Sequence, residues 1–279
     1  HVNVMGCTMF AAVSGSSAAT TATVGKITTT ELAQRGYDQK LAIGSLAGAG
    51  SLGFLIPPSI IMIIYGILAE TSIARLFAAG ILPGLMIAGL YMGFIALMAL
   101  WRPEKAPAMT ETLTFRDRLA GLWSLYPIII LMTIVLGAIY SGIATPSEAA
   151  AVGVAAALVL TGLMGQLSLK LLGETMMSSL RTSAMVCSIL MCATVLSTAM
   201  GYLHIPAELA RFIADLQLSP FALILILSVF YLVLGFFLEG ISIIVMSLPI
   251  TLPLILGAGF DPVWFGIYLV LMVEMAQVT

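Results

Sequence analysis

The run FAAVSGSSAATTATVGK, Phe10 to Lys26, decides how the chain folds. Six of the ten residues from Ser14 to Thr23 carry hydroxyls and Gly15 interrupts them, yet both flanks are apolar. The chain has 279 residues, of which 61% are hydrophobic and 9% charged, whereas a soluble domain carries about 25% charged residues. The stretch therefore lies in a membrane protein. If residues 1–25 crossed a bilayer as one helix, six hydroxyls would sit in hydrocarbon beside a glycine break. A re-entrant hairpin, rising to a tip at Ser14–Ser17 and returning to the Lys26 side, sets the polar backbone against protein or water instead.

Outward from this tip, residues 41–69, 76–101, 119–147, 149–169, 182–207, 216–238 and 240–260 each lack Asp, Glu, Lys and Arg. Each is long enough to span, since a transmembrane helix takes roughly 20 residues. Basic residues collect in two segments, Lys26, Arg35 and Lys40, then Arg102, Lys105, Arg116 and Arg118. Two crossings separate them, so both lie on one side, which the positive-inside rule makes cytoplasmic. Glu70–Arg75 then faces outward, and five crossings lie between Lys40 and His204. At ATPSEAA, Thr145, Pro146 and Glu148 have the spacing of a capping box at a helix start. The chain begins at His1 inside apolar sequence, as expected of the interior of a longer protein, with no cleavable leader pattern.

A second copy of the opening pattern is visible. Gly36 and Asp38 match Gly259 and Asp261 at a separation of 223, and the same shift carries Pro57 to the position just past Thr279. After a two-residue adjustment SGSS lies opposite Glu239-Gly240-Ile241-Ser242. With an odd number of crossings between them, the two copies are inserted in opposite senses, and inverted repeats mark secondary transporters. The second copy takes the same shape, with arms of about 221–238 and 242–256 meeting at Glu239–Ser242.

The tips offer oxygen. Ser14, Ser16 and Ser17 supply hydroxyls, and Gly15 lets the backbone leave the helix. In GAGSLGFLIPPS, Gly48, Gly50 and Gly53 weaken a helix, while Pro57 and Pro58 remove amide donors and leave carbonyls free. Hard cations take such ligands; the competing reading of the small hydroxylated run is close helix packing. Glu239 and Glu274, acidic within apolar sequence, are candidates for ion or proton coupling, or for capping and pairing. Arg181 and Arg211 are candidates to attract an anion or to snorkel to the interface. Cys7, Cys187 and Cys192 lack metal spacing and read as small core residues. With no P-loop, only two histidines and no dense basic run, ATP hydrolysis, hydrolytic catalysis and nucleic-acid binding are all set aside.

The segments FAAVSGSSAAT, GSLGFLIPPSIIMIIYG, LFAAGILPG, GIATPSEAAAVG, LGFFLEGISIIVMSLPITLP and GFDPVWFGI, in this order, resemble the large membrane subunit of TRAP (tripartite ATP-independent periplasmic) transporters. The resemblance implies an all-α polytopic protein of the bacterial inner membrane, an inverted-repeat, elevator-type secondary transporter with re-entrant hairpins. It implies sodium-driven, non-enzymatic uptake of a small organic acid (a dicarboxylate, keto acid or sugar acid), with a small membrane subunit and a periplasmic substrate-binding protein as partners. Transport regions would occupy 1–69 and 204–279, and the scaffold and connecting helices 70–203. A first sodium site would fall on Ser14, Gly15, Ser16 and Ser17 with Gly53 and Pro57, and a second on Glu239, Gly240, Ser242 and the segment from Glu274 to Thr279. Two positions depart from the family pattern, which usually has Asp at Glu239 and Gly at Ala276. The family also continues past Thr279 with a Pro-Pro pair and has helices before His1. An ion channel with a hydroxyl-lined loop and a purely structural subunit are the competing classes.

Overall fold

The computed structural model describes residues 1–105, 107, 125–205, 207–208, 211 and 219–278. Among these residues all regular elements are helical, the arrangement that satisfies backbone polar groups inside a bilayer. We number the α-helices α1 (Val2–Ser14), α2 (Ser17–Gln34), α3 (Gln39–Ser51), α4 (Ile60–Leu68), α5 (Ile73–Trp101), α6 (Tyr126–Tyr140), α7 (Pro146–Leu163), α8 (Leu169–Tyr202), α9 (Pro220–Gly235), α10 (Gly240–Gly257) and α11 (Pro262–Val278). Arg116, Arg118 and Thr279 lie outside the described residues.

The chain divides into two compact units, His1–Ile60 with Gly80–Gly165, and Ile61–Ala79 with Gln166–Thr279. By length and composition α5, α7, α8 and α10 are long and apolar enough to cross a membrane. Among the described residues fewer helices reach that length than there are charge-free runs, in part because glycine and proline positions divide a run into shorter helices. The run 41–69 is one case: α3 ends at Ser51, a 3-10 turn covers Leu52–Phe54, and α4 begins only at Ile60.

In the first unit, α1, α2 and α3 pack around Val4, Cys7, Val24, Leu46, Ala49 and Leu52, with Ala88 of α5 closing the cluster. Lipid is as apolar as these side chains, so the gain comes from close packing and from hydrogen bonds rather than from escape from water. Asn3 supplies two such bonds, its Nδ2 donating to the Ala42 carbonyl at 3.0 Å and to Ser45 Oγ at 2.9 Å. Gly48 and Gly50 do not break α3. They sit inside it as contact points, Gly48 against the Tyr91 ring and Gly50 against Thr21, whose Oγ1 occupies the place a Cβ would take.

Helix α7 starts with the expected capping box: Thr145 N–H donates to Glu148 Oε2 at 2.8 Å, and Glu148 N–H to Thr145 Oγ1 at 3.4 Å. Cys7 is a core residue, whereas Cys187 and Cys192 are exposed. The expectation for the last two fails because α8 buries little of its length against described residues; Ala193 is the buried position that its surface records.

The echoed positions do the same local work in both units. Asp38 caps α3 by accepting from Leu41 N–H at 2.9 Å, and Asp261 caps α11 by accepting from Val263 and Trp264 N–H at 2.8 and 3.0 Å. Gly36 and Gly259, two residues upstream in each case, both have positive φ, +76° and +82°. Each unit thus contains a helix, a short interruption, a second helix, a left-handed glycine and an Asp-capped third helix.

Candidate functional site

The interruption between α1 and α2 is two residues long. Gly15 terminates α1 in the left-handed conformation, φ +59°, with its N–H on the Ala11 carbonyl at 2.8 Å. Ser16 then caps α2 from an extended conformation, its Oγ accepting from Ala19 N–H at 3.4 Å. Both choices follow from residue type: glycine tolerates positive φ, and serine is among the preferred N-caps.

Packing adds a second reason for Gly15. A Cβ there would lie 2.6 Å from the Pro58 carbonyl oxygen. The Gly15 carbonyl in turn accepts from Ile60 N–H at 3.3 Å. Gly53 faces the other side of the tip, where a Cβ would lie 3.0 Å from both Ser16 C and Ser17 N. The structure therefore brings Ser14, Gly15, Ser16, Ser17, Gly53 and the Pro57–Pro58 break into one place.

Oxygens gather there. Ser14 Oγ lies 2.9 Å from Thr20 Oγ1, and the two hydroxyls approach the Ser16 carbonyl oxygen at 3.3 and 2.8 Å. On the facing segment Leu52 O accepts from Leu55 and Ile56 N–H at 3.1 and 2.9 Å. Pro57 denies the Gly53 carbonyl its helical donor, and Pro58 does the same to Phe54. The Ser59 hydroxyl, fully buried, donates to the Phe54 carbonyl. Thr20, also fully buried, was not singled out from sequence. The signal was available, because Thr20 stands four residues after Ser16, one helical turn inside α2, and so on the face of the tip.

The second interruption, between α9 and α10, is built differently. A turn through Phe236–Leu238 places Phe237 and Leu238 N–H on the Leu234 carbonyl at 3.0 and 2.9 Å. Glu239 is the N-cap of α10, exposed and without a side-chain capping bond. Its carboxylate thus stands at the positive end of a helix, where negative charge is favoured. Gly240 is buried against Val273 and Gln277 of α11 and Ile61 of α4, which a Cβ would approach to 2.8, 3.0 and 3.1 Å. Ser242 lies in the first turn of α10.

Behind this tip the arms are tied by hydroxyls. Tyr231 OH donates to Thr251 Oγ1 at 2.9 Å, Ser228 Oγ and Tyr268 OH lie 2.8 Å apart, and Tyr65 OH donates to the Pro262 carbonyl at 2.6 Å. Glu274 is buried in α11. Ala276, two residues on, fills the space opposite Gly235, so that a Cβ on Gly235 would fall 2.2 Å from the Ala276 Cβ. The methyl at position 276 and the missing one at 235 are thus complementary, a pairing that no local pattern displays.

Chemically, the first tip is a cluster of neutral hydroxyl and carbonyl oxygens, and the second combines a helix start with an exposed carboxylate. A sequence model of the family described as "Tripartite ATP-independent periplasmic transporter, DctM component" matches residues 1–279. The chain is 37% identical over 281 residues to the C4-dicarboxylate TRAP transporter large permease protein of Pseudomonas aeruginosa, covering 99% of this chain and 64% of that protein. It is 35% identical over 281 residues to the isethionate TRAP transporter permease protein of Oleidesulfovibrio alaskensis, covering 98% and 43%. To the sialic acid TRAP transporter large permease protein of Vibrio cholerae it is 31% identical over 275 residues, covering 97% and 63%. The chain thus spans less than two thirds of the length of each of these relatives.

Proposed function

The chain belongs to the DctM component family of tripartite ATP-independent periplasmic transporters, and from that premise we propose that it carries the core of a sodium-coupled importer of a small organic acid. The observation that carries the reading is the fit of the first tip to a monovalent hard cation. Ser14 and Thr20 bring hydroxyls and Ser16 its carbonyl, the Ser16 and Ser17 hydroxyls and the Gly53 carbonyl are the further ligands of the reading, and Gly15 and Gly53 let the two segments approach at backbone distance. In discontinuous helices of transporters, such carbonyls coordinate the coupling ion. An ion at this place joins α1–α2 to the break between α3 and α4, so sodium binding favours the closed tip. Gly240, Ser242 and Glu239 form a second sodium site with the end of α11, where the N-terminus of α10 also favours an anion.

The coupling has a physical rationale. An organic anion costs energy to move toward a negative interior, about 2.3 kcal/mol per charge per 100 mV. Sodium ions carried with it cancel that charge and add their own gradient. The substrates named for the relatives, a C4-dicarboxylate, isethionate and sialic acid, point to small acids as the class. Residues 1–69 and 204–279 carry the tips through the bilayer of the inner membrane, elevator fashion, against a scaffold from 70–203. A small membrane subunit and a periplasmic binding protein complete the machine, the latter delivering the substrate.

The test is uptake in proteoliposomes containing the complete permease with its small subunit. Uptake is expected only with an inward sodium gradient and the loaded binding protein. Flux that ignores both would refute the reading and favour a pore.

A further inference from the structure

Helix α8 is longer than a crossing needs. Its 34 residues extend about 51 Å, against a hydrocarbon core of about 30 Å. The charge-free run that starts at residue 182 accounts for one crossing. That part packs on α10, and the two helices enclose a groove of about 250 Å³ lined on the α8 side by Ala193, Thr194, Ser197 and Thr198. Residues 169–181, about 20 Å of helix, are left over, and they carry Lys170, Glu174 and Arg181. We infer that this leading segment is an interfacial arm that docks on the phospholipid surface of the cytoplasmic leaflet, its apolar face toward the acyl chains and its charged face among the headgroups.

The segment is amphipathic. At about 100° per residue Lys170, Glu174 and Arg181 fall within about 40° of one another, and Leu169, Leu172, Met176 and Leu180 within about 80° on another side. Leu169, Met176 and Leu180 are 90%, 64% and 63% exposed, so the described residues leave that apolar face open. Lipid is the surface within its reach. The preceding span, α7, ends at Leu163, and Gly165 turns back onto the Gly162 carbonyl at 3.0 Å. Only residues 166–168 separate this turn from α8, a link of at most about 14 Å. The other end of the segment enters the bilayer after Arg181. A helix of about 20 Å held at membrane level at both ends runs along the surface, not away from it. Thr182 stands at the point of entry, its hydroxyl donating to the Ser178 carbonyl at 3.1 Å, a back-bond of the kind that bends helices. The two crossings after Lys105, through α6 and α7, put Lys170 on the same, cytoplasmic side. Charge fits a headgroup layer as well. Lys170 and Arg181 stand near the two ends, where long basic side chains snorkel to phosphates. Glu174 pairs with Lys170 at 3.9 Å, so its carboxylate does not meet anionic headgroups alone. Docked in this way, the arm fixes the depth of the crossing part of α8, on which α10 packs.

Spin labels read the position of the arm without requiring transport. Met176→Cys, Leu180→Cys and, on the polar side, Ser178→Cys are introduced one at a time into the complete permease with its other cysteines replaced by alanine. Each is labelled with a nitroxide and reconstituted into vesicles of phosphatidylethanolamine and phosphatidylglycerol. Collisions with oxygen, which concentrates in the bilayer, are compared with collisions with a water-soluble nickel chelate. Labels at 176 and 180 are expected to favour oxygen, at a depth of about 5–10 Å, and the label at 178 to favour nickel. Equal nickel access at all three positions would overturn the inference, because the arm would then stand in water. Shielding of 176 and 180 from both reagents would overturn it too, by showing that protein covers the face. A second comparison adds Lys170→Gln and Arg181→Gln to the label at 176. Nickel access is expected to rise about twofold or more in vesicles containing phosphatidylglycerol, where basic residues bind the surface, and to stay unchanged in vesicles of phosphatidylcholine alone. An equal response in both lipids would refute the placement of the charged face among the headgroups.

Discussion

Replacing Gly15 by Ala separates two costs that the tip combines. The first is conformational: at φ +59° an L-residue with a Cβ is disfavoured by roughly 1–2 kcal/mol. The second is steric, because the new Cβ would stand 2.6 Å from the Pro58 carbonyl oxygen, inside the 3.0 Å that such contacts respect. Neither partner is a flexible side-chain end, so backbone must move, and overpacking of this kind costs about 1–3 kcal/mol. Gly36→Ala is the matched control. Gly36 has φ +76° but nothing within 4 Å of the added Cβ, so it bears the conformational cost alone. Thermal unfolding of the detergent-solubilised permease is expected to rank wild type above Gly36→Ala and Gly36→Ala above Gly15→Ala. In uptake assays Gly15→Ala is expected to raise the sodium half-saturation about fivefold or more, the smallest shift that 1 kcal/mol of differential cost produces. Gly36→Ala should leave it unchanged. Equal stability of the two variants, with equal sodium affinity, would refute the view that the tip and the Pro57–Pro58 break meet at backbone distance.

Three further outcomes follow from the same contacts. Thr20→Val removes the hydroxyl that meets both Ser14 and the Ser16 carbonyl. It should weaken sodium dependence by about five- to tenfold, on the scale of a buried hydrogen bond of about 1 kcal/mol, which sodium titration of uptake reads directly. Gly235→Ala should destabilise by about 1–3 kcal/mol through its clash with Ala276. Adding Ala276→Gly should recover part of that loss in a double-mutant cycle, and strict additivity would show that the two sites do not touch. Tyr231→Phe should cost about 0.5–1.5 kcal/mol of stability by losing its bond to Thr251, while sodium affinity stays as in wild type.

Much of the fold was readable because its signals are local. The break at Pro57–Pro58 needs only the missing amides, the capping box at Thr145–Glu148 needs only four residues, and the repeat shows in Gly36 and Asp38 against Gly259 and Asp261. Gly15 as the end of α1 is legible for the same reason. What was not legible depended on neighbours. Gly48 and Gly50 read as positions that weaken a helix, and only the packing shows them as the places where Tyr91 and Thr21 press against an intact α3. Cys187 and Cys192 look like core residues, but α8 meets too little of the described chain to bury them.

By itself the sequence determined that this is a helical membrane protein, where its helices are interrupted, and which hydroxyls and prolines stand at the interruptions. Composition and single-turn chemistry suffice for that, since the bilayer forces backbone bonds to be made within each segment. Tertiary structure alone decided that Gly15 abuts Pro58, that Ala276 fills the space Gly235 vacates, and that α8 and α10 enclose a groove. Those facts are distances between segments far apart along the chain. Small residues permit such approaches at many positions, and only the packed structure selects which ones are used.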